Sequence, residues 1–374
     1  MADARGLRRT GRTWLALAAA VTLAAATAGQ ALASPLLPQA LALLASDIGA
    51  RDAEGNPRPG CPVLPTALGD DEYERLLANS PSRGVLLRLT DVDHREDTDE
   101  EAVPRESYLY ALPPAALRDW LVPGPEVRAA VAAVDRVVLE LDLSDATVFD
   151  SLQAMARQPL PGPSGRAGRL PALPDELEAA LQGALDAACL APPPTWRPEL
   201  RALSLLAGQM RAEGHDPGHA IAGSIADLAE SLGKPLSALE TPERQLAPLL
   251  GDGPGEVAER VRQALDAVAR PETLATLRRA EDGWDSAVLS ELNLFERRCN
   301  CRQTALERRL WTDLEARNSA LAEQIAALHR RGTRVFAALG ALQLSGQAGV
   351  AALLEGQGFQ VEWVAYPRRP PSSP

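Results

Sequence analysis

Apolar positions along the chain follow two rhythms. Short apolar runs bounded by charged or turn-forming residues occur at GVLLRLTD (84–91), SYLYAL (107–112), RVVLELDLSD (136–145), PLSALET (235–241), RVFAALGAL (334–342) and VEWVAYP (361–367). Such runs predict strands buried in a sheet. Between them the apolar residues recur every three to four positions, which predicts helices. Examples are PEVRAAVAAVD, LPDELEAALQGALDAAC, RQTALERRLWTDL, NSALAEQIAALHRR and QAGVAALLEGQGF, the last closed by Gly358. Shorter helical pieces, LPQALALLASDI and DDEYERLLAN, lie in the proline- and glycine-punctuated stretch 34–80. QPLPGPSGRAGRLP and APPPTWRP read as loops, as does the acidic DVDHREDTDEEAVPRE at 91–106, which carries His94. Strands separated by long helices predict an α/β fold: a mixed sheet flanked by helices, with a large helical insert.

Composition narrows the picture. The 374 residues are 46% hydrophobic but only 4% aromatic, which fits a core of alanine- and leucine-rich helices. The formal net charge of −12 argues against nucleic acid as a partner, because phosphate binding wants a basic surface. The N-terminus has the layout of an export signal. Arg5, Arg8, Arg9 and Arg12 precede the uncharged WLALAAAVTLAAATA, and Ala31-Leu32-Ala33 offers a small-x-small cleavage site before Ser34. The Arg8-Arg9 pair hints at twin-arginine export, although the Thr-Gly-Arg after it fits poorly. The organisation expected is a signal peptide (1–33), an N-terminal extension (34–80), one α/β domain (81–366) and a disordered tail (367–374), in a periplasmic or secreted protein with no membrane span after cleavage. The apolar stretch is shorter than the ~20 residues a span needs.

All four cysteines, Cys61, Cys189, Cys299 and Cys301, lie in the exported part, where disulfides form. Four cysteines allow three pairings. Cys299 and Cys301 are too close to bridge each other easily, so Cys61 and Cys189 are expected to pair with them, in either order. A zinc site is the weaker alternative, since Cys-x-Cys lacks the spacing of common zinc knuckles.

In open α/β sheets ligands bind beyond the carboxyl ends of the strands. The polar residues at those ends are Glu140, Asp142, Glu240 and Gln343. On one strand, Glu140 and Asp142 would share a face. His215 and His219 are four apart, but Pro217-Gly218 breaks the helix that would align them, so a loop before a helix is expected. Ser345 lacks a Gly-x-Ser-x-Gly elbow, which argues against a serine hydrolase. His329, beside Arg330 and Arg331, sits at a helix end where cations suit the dipole.

Several of these segments together resemble the TraB/GumN family, whose relatives include the Tiki-type membrane metalloproteases. ARNSALAEQIAALHRRGTRVFAALGALQLSGQAGVAALLEGQGFQVEWV resembles that family's Glu-Arg-Asn, helix, strand, Gly-x-x-His, Gly turn, helix and last strand. RVVLELDLSD resembles its glutamate-bearing strand. GHDPGHAIAGSIADLAESLGKPLSALETPERQL resembles its Gly-x-Asp helix, Leu-Glu-Thr strand and following glutamine. The Cys299-x-Cys301 pair is similar to one in some exported members. The resemblance spans residues 84–365 and implies a fold related to the erythromycin esterase and haem-uptake ChaN proteins. It also implies a divalent metal held by two Gly-x-x-His motifs and a glutamate, generating hydroxide for hydrolysis.

This chain departs from that pattern at both histidines. Ala111-Leu112-Pro113-Pro114 follows the second strand where the first motif belongs, and Gly340-Ala341-Leu342-Gln343 carries glutamine in place of the second histidine. Ala316 replaces the glutamate of Glu-Arg-Asn. Glu140, Asp142, Glu240, Gln245, Arg317, Asn318 and Gln343 remain as candidate pocket residues, with Arg317 expected to lock onto one of the acids. The resulting expectation is a metal-free, degenerate relative of a hydrolase that binds a peptide or small ligand, with no cofactor. The alternatives are an altered hydrolase using Glu140 and Glu240, and a structural protein contacting an envelope partner, with the acidic 91–106 loop as its contact.

Overall fold

The computed structural model describes residues 61, 68–91, 105–113, 115–142, 145–160, 168–216, 221–299, 302 and 305–367. The expected signal segment, the 37–48 helix, most of the acidic loop with His94, His219, Cys301 and all but the first residue of the tail lie outside these residues. Among the described residues no helix is long and apolar enough to cross a membrane.

Six strands form one mixed sheet: β1 (Leu86–Asp91), β2 (Ser107–Leu112), β3 (Arg136–Leu139), β4 (Leu236–Ala238), β5 (Val335–Gly340) and β6 (Phe359–Trp363), in the order β4-β3-β5-β2-β1-β6. β2, β3, β4 and β5 run parallel, while β1 is antiparallel to both β2 and β6. The six apolar runs therefore became the six strands, as their composition predicts. Val335 to Leu339 are all fully buried. A strand buried on both faces needs helices on both sides of the sheet, which explains the unbroken apolar run.

The helices are α1 (Asp70–Asn79), α2 (Pro125–Ala133), α3 (Ala146–Ala156), α4 (Asp175–Ala187), α5 (Pro198–Ala212), α6 (Ile221–Ser231), α7 (Pro242–Leu246), α8 (Pro254–Val268), α9 (Pro271–Asp285), α10 (Leu289–Cys299), α11 (Ala305–Arg330), α12 (Ala341–Leu344) and α13 (Val350–Gly356). Proline stands in the first turn of α2, α5, α7, α8 and α9, where its missing N–H costs nothing. α13 gives way two residues on to Gly358 at φ 88°, the left-handed conformation that glycine adopts without strain. The two segments expected as separate helices at 302–314 and 318–331 are one 26-residue helix, α11. Nothing between them interrupts the spacing, and Ala316 favours continuation.

Two large apolar clusters result. One surrounds the sheet, with Leu89, Leu109, Val138, Ile225, Trp284, Leu321 and Phe336. The other lies among α3, α4, α5, α8 and the first half of α11, and includes Leu152, Leu181, Trp196, Leu205, Val261 and Trp311. The second cluster accounts for the long helical insert between β3 and β5. The clusters meet at the strand ends: Leu239 and Ala341 belong to the sheet cluster, while Leu141 and the half-buried Leu342 pack into the helical one. A buried clamp steadies the helical side. Arg197 pairs with Glu199 at 2.6 Å, and Glu199 accepts from the Gly251 N–H at 3.1 Å.

The cysteine expectation is corrected. Cys61 is bonded to Cys189, with Cα atoms 5.6 Å apart. Cys189 follows the end of α4, where the chain turns at φ 56°. Spacing alone carries no information on connectivity. The bridge closes 128 residues of chain. Replacing Cys189 by Ser is expected to lower stability by about 2–4 kcal/mol, read as a reduced urea midpoint under non-reducing conditions. An unchanged midpoint would show that residue 61 is tethered by other contacts.

Candidate functional site

The parallel strands β3, β4 and β5 lie side by side, so their carboxyl ends deliver their following residues to one place. β3 stops at Leu139, earlier than the sequence suggests, and β4 at Ala238. The ladder nevertheless continues for two bonds, Leu239 N–H to Leu139 O (2.8 Å) and Glu240 N–H to Glu140 O (2.9 Å). That places Glu140 and Glu240 next to each other. On the other side, the N–H of Gly340 donates to Glu140 Oε1. A side-chain carboxylate thus takes the donor that a further ladder bond would use, and the strand ends there.

Glu140 is 2% exposed. Its Oε2 accepts from Gln245 Nε2 at 2.8 Å, and the same amide donates to Glu240 Oε2 at 3.0 Å. Gln245 is placed by α7, whose N-cap Thr241 accepts from the Arg244 N–H. Arg317, in the middle of α11, meets Glu240 in a two-pronged bond, Nε to Oε1 at 2.8 Å and Nη2 to Oε2 at 2.7 Å. Arg317 Nη2 lies 3.8 Å from Glu140 Oε2. The expected arginine lock is therefore present, and its carboxylate is Glu240. Burial, together with the neighbouring Glu240, pushes Glu140 up to about 7, against the pull of Arg317. Burial works against the charge of Arg317, but the bond to Glu240 holds its guanidinium above the ordinary value.

Gln343 differs from its expected position. β5 ends at Gly340, and Gln343 sits on α12, a single helical turn. It is buried, and its Nε2 has no hydrogen-bond partner among the described residues. Its amide donates neither to Glu140 nor to Arg317. Instead Gln343 Oε1 and Glu140 Oε1 flank the Cα of Gly340: a methyl group there would stand 3.1 Å and 3.2 Å from them. Glycine is what lets the two side chains come this close. Asn318 is buried too, and its amide donates to Ala348 O at 2.9 Å. Asp142 lies beyond the end of β3, so strand alternation does not carry it to the face of Glu140. It is half-buried, and its carbonyl accepts from the Asp145 N–H at the start of α3.

One group escaped the sequence reading. Asp313 lies one helical turn before Arg317, and its carboxyl is pushed up by burial while Arg317, Arg244 and Glu240 act on it. The i, i+4 spacing of Asp313 and Arg317 was the available signal. The histidines lie elsewhere. His329 is at the end of α11 as expected, but fully buried, with Nδ1 2.8 Å from Ser107 Oγ and Nε2 3.3 Å from Asp91. His215 closes the turn after α5, with Nε2 3.5 Å from Glu281.

A mixed sheet whose parallel strands gather polar side chains at their carboxyl ends, between a sheet core and a helical core, defines an α/β protein with a buried polar cluster at its strand ends. Residues 104–363 match the model of the TraB/PrgY/gumN family, and the chain belongs to that family. No curated protein and no solved structure matches the chain.

The divalent metal implied by the family can be tested against these donors. Glu240 is committed to Arg317, Glu140 to Gly340 and Gln245, and a carboxamide binds metal far less well than imidazole. Among the described residues no group of three or more His, Cys, Asp or Glu is placed to hold a metal ion. The donor set does not fit the group.

Proposed function

We propose that this chain is an exported family member that binds a peptide or small ligand at its strand ends and carries no catalytic metal. The observation that carries the reading is the internal use of both glutamates. Arg317 and Gln245 close a polar cluster around Glu140 and Glu240, so neither glutamate is left over for a cation. The buried, unpartnered Nε2 of Gln343 supports binding, because a donor in that state gains most from a ligand's carbonyl. Export is supported by the basic and apolar leader and by the Cys61–Cys189 bridge.

Elemental analysis after mild dialysis is expected to find no stoichiometric zinc, manganese or cobalt. Gln343→His is not expected to change that, since Ala111-Leu112-Pro113 offers no second imidazole. One metal per chain, lost on Glu140→Ala, would overturn the metal-free reading. For binding, thermal shift against a library of short peptides is expected to give ligands whose effect falls at least tenfold in Gln343→Ala. Ligands bound equally by the variant would place the interaction elsewhere.

A second reading rests on Glu140, whose pKa near 7 suits proton transfer. In that case a hydrolytic activity insensitive to chelators would vanish in Glu140→Gln.

A further inference from the structure

Away from the strand-end glutamates, the middle of α9 lies against the end of α5 through a small and unusual contact. The apolar part is a separate cluster of three residues, Ala115, Met210 and Leu277. The polar part is the pair His215 and Glu281, whose Nε2 and Oε2 lie 3.5 Å apart. Glu281 is 3% exposed, and its Oε1 has no hydrogen-bond partner among the described residues. The imidazole packs edge-on to Trp120, with centroids 5.4 Å apart. The next residue, Asp216, exchanges backbone hydrogen bonds with Ala116, just past the exit of β2. This contact therefore ties down residues 115–116, just beyond the end of β2.

Charged groups face the pair from each neighbouring element. Asp282 and Arg278 come from α9 itself, with Arg278 also bound to Glu213 at the end of α5. Arg211 is paired with Asp216 at 3.0 Å. From the turn that carries Trp120, Asp119 is taken up by Arg83, and Arg118 by Glu72. The acids Asp282 and Glu213 repel a carboxylate at Glu281, and only Arg278 offsets them.

We propose that the contact between α9, over Leu277–Glu281, and the end of α5 is a proton-controlled latch, closed when Glu281 is protonated and His215 neutral. The hydrogen-bonding state is the reason. A neutral acid and a neutral imidazole share one proton across the contact at small desolvation cost. A carboxylate there would be buried, short of donors and beside two acids. Burial pushes Glu281 up to about 8, and burial also lowers His215 below its ordinary value. Glu281 thus opposes closure as pH rises through about 8, and His215 opposes it as pH falls below its unfolded value near ~6.5. The far end of α9 is anchored independently: Trp284 donates to Ala111 O at 2.6 Å, and its own carbonyl accepts from Gly84. Opening is accordingly confined to residues 271–281 and 210–216. This inference does not depend on what the strand-end site binds.

Hydrogen exchange of the full chain, corrected for intrinsic rates, tests it at about pH 7, pH 8 and pH 9. Protection in 271–281 and 210–216 is expected to fall by about fivefold from pH 7 to pH 8 and to level off above that, changing less than about twofold from pH 8 to pH 9, with β5 unchanged. Glu281→Gln is expected to remove that dependence, because a carboxamide is neutral at every pH. Protection that does not vary with pH in the native chain, or that varies equally in Glu281→Gln, would overturn the proposal. If that variant does not fold, the His215 imidazole resonances of the native chain provide the second readout. An inflection near 8 reports the ionisation of Glu281, and a titration curve without one would equally sink the latch.

Discussion

Arg317→Ala is expected to be among the most damaging single substitutions in the chain. Arg317 is 3% exposed and balances two buried glutamates, holding Glu240 in two bonds and Glu140 at 3.8 Å. Removing one partner of a buried ion pair strands the other charge, at a cost of about 3–5 kcal/mol. The loss should depend on pH. Glu140 is already held up near 7, so its neutral form is favoured in the fold. Its contribution is fully present below the unfolded value of ~4.5 and is lost as pH rises through about 7. Without Arg317 the neutral form is favoured more strongly still. The deficit measured by urea unfolding should therefore be larger at about pH 8 than at about pH 5. Exchanging the pair for neutral groups, Arg317→Met with Glu240→Gln, should be milder than Arg317→Ala alone. A deficit under about 1 kcal/mol, equal at both pH values, would show that solvent reaches the cluster and that the lock contributes only what a surface pair does.

Trp284→Ala is expected to cost about as much, for a different reason. Trp284 is 1% exposed and stacks near Trp120 and Tyr110, with centroids 4.8 Å and 6.3 Å away. Gly84, at φ 75°, brings its backbone against the indole, where even a methyl group would come within 2.7 Å. Emptying that volume should cost about 3–5 kcal/mol. It would also leave Ala111 O without the indole donor. Trp284→Phe keeps most of the volume and loses the hydrogen bond, so about 1–3 kcal/mol is expected for it. The difference between the two variants, read from thermal or urea melts, separates packing from hydrogen bonding. Equal losses would mean that the hydrogen bond, and not the packing, dominates.

Much of this architecture was legible in the chain. The six apolar runs are the six strands, because a strand covered on both faces has no reason to alternate. Their ends were less legible. Glu140 and Asp142 read as one strand face, yet Glu140 itself ends the pairing by taking the Gly340 N–H with its side chain. Gln343 read as a strand end, but Ala341–Leu344 coils into one helical turn after the glycine. Local patterns cannot foresee such a competition between side chain and ladder. The lock of Arg317 onto a glutamate was anticipated from its family position, while the choice of Glu240 over Glu140 is tertiary geometry. The i, i+4 spacing of Asp313 and Arg317 is a signal shared by many acid–arginine pairs in a heavily charged helix, so it does not single Asp313 out. The disulfide partners were misassigned for a related reason: connectivity depends on where α4 ends in space, and spacing in the chain is silent on that.

The meeting of the two apolar clusters at the strand ends has a consequence for how this protein comes apart. Gln245 and Arg317 reach the glutamates from helices that help to build the helical cluster, whereas Glu140 and Gly340 leave the sheet. The polar cluster is therefore a weld, complete only while both halves stand in register. Anything that grips it holds the halves together, and partial melting of the helical half dissolves it while the strands are still paired. Ligand affinity in such an arrangement would report the assembly of the whole chain, and it should vanish at lower denaturant than the sheet does.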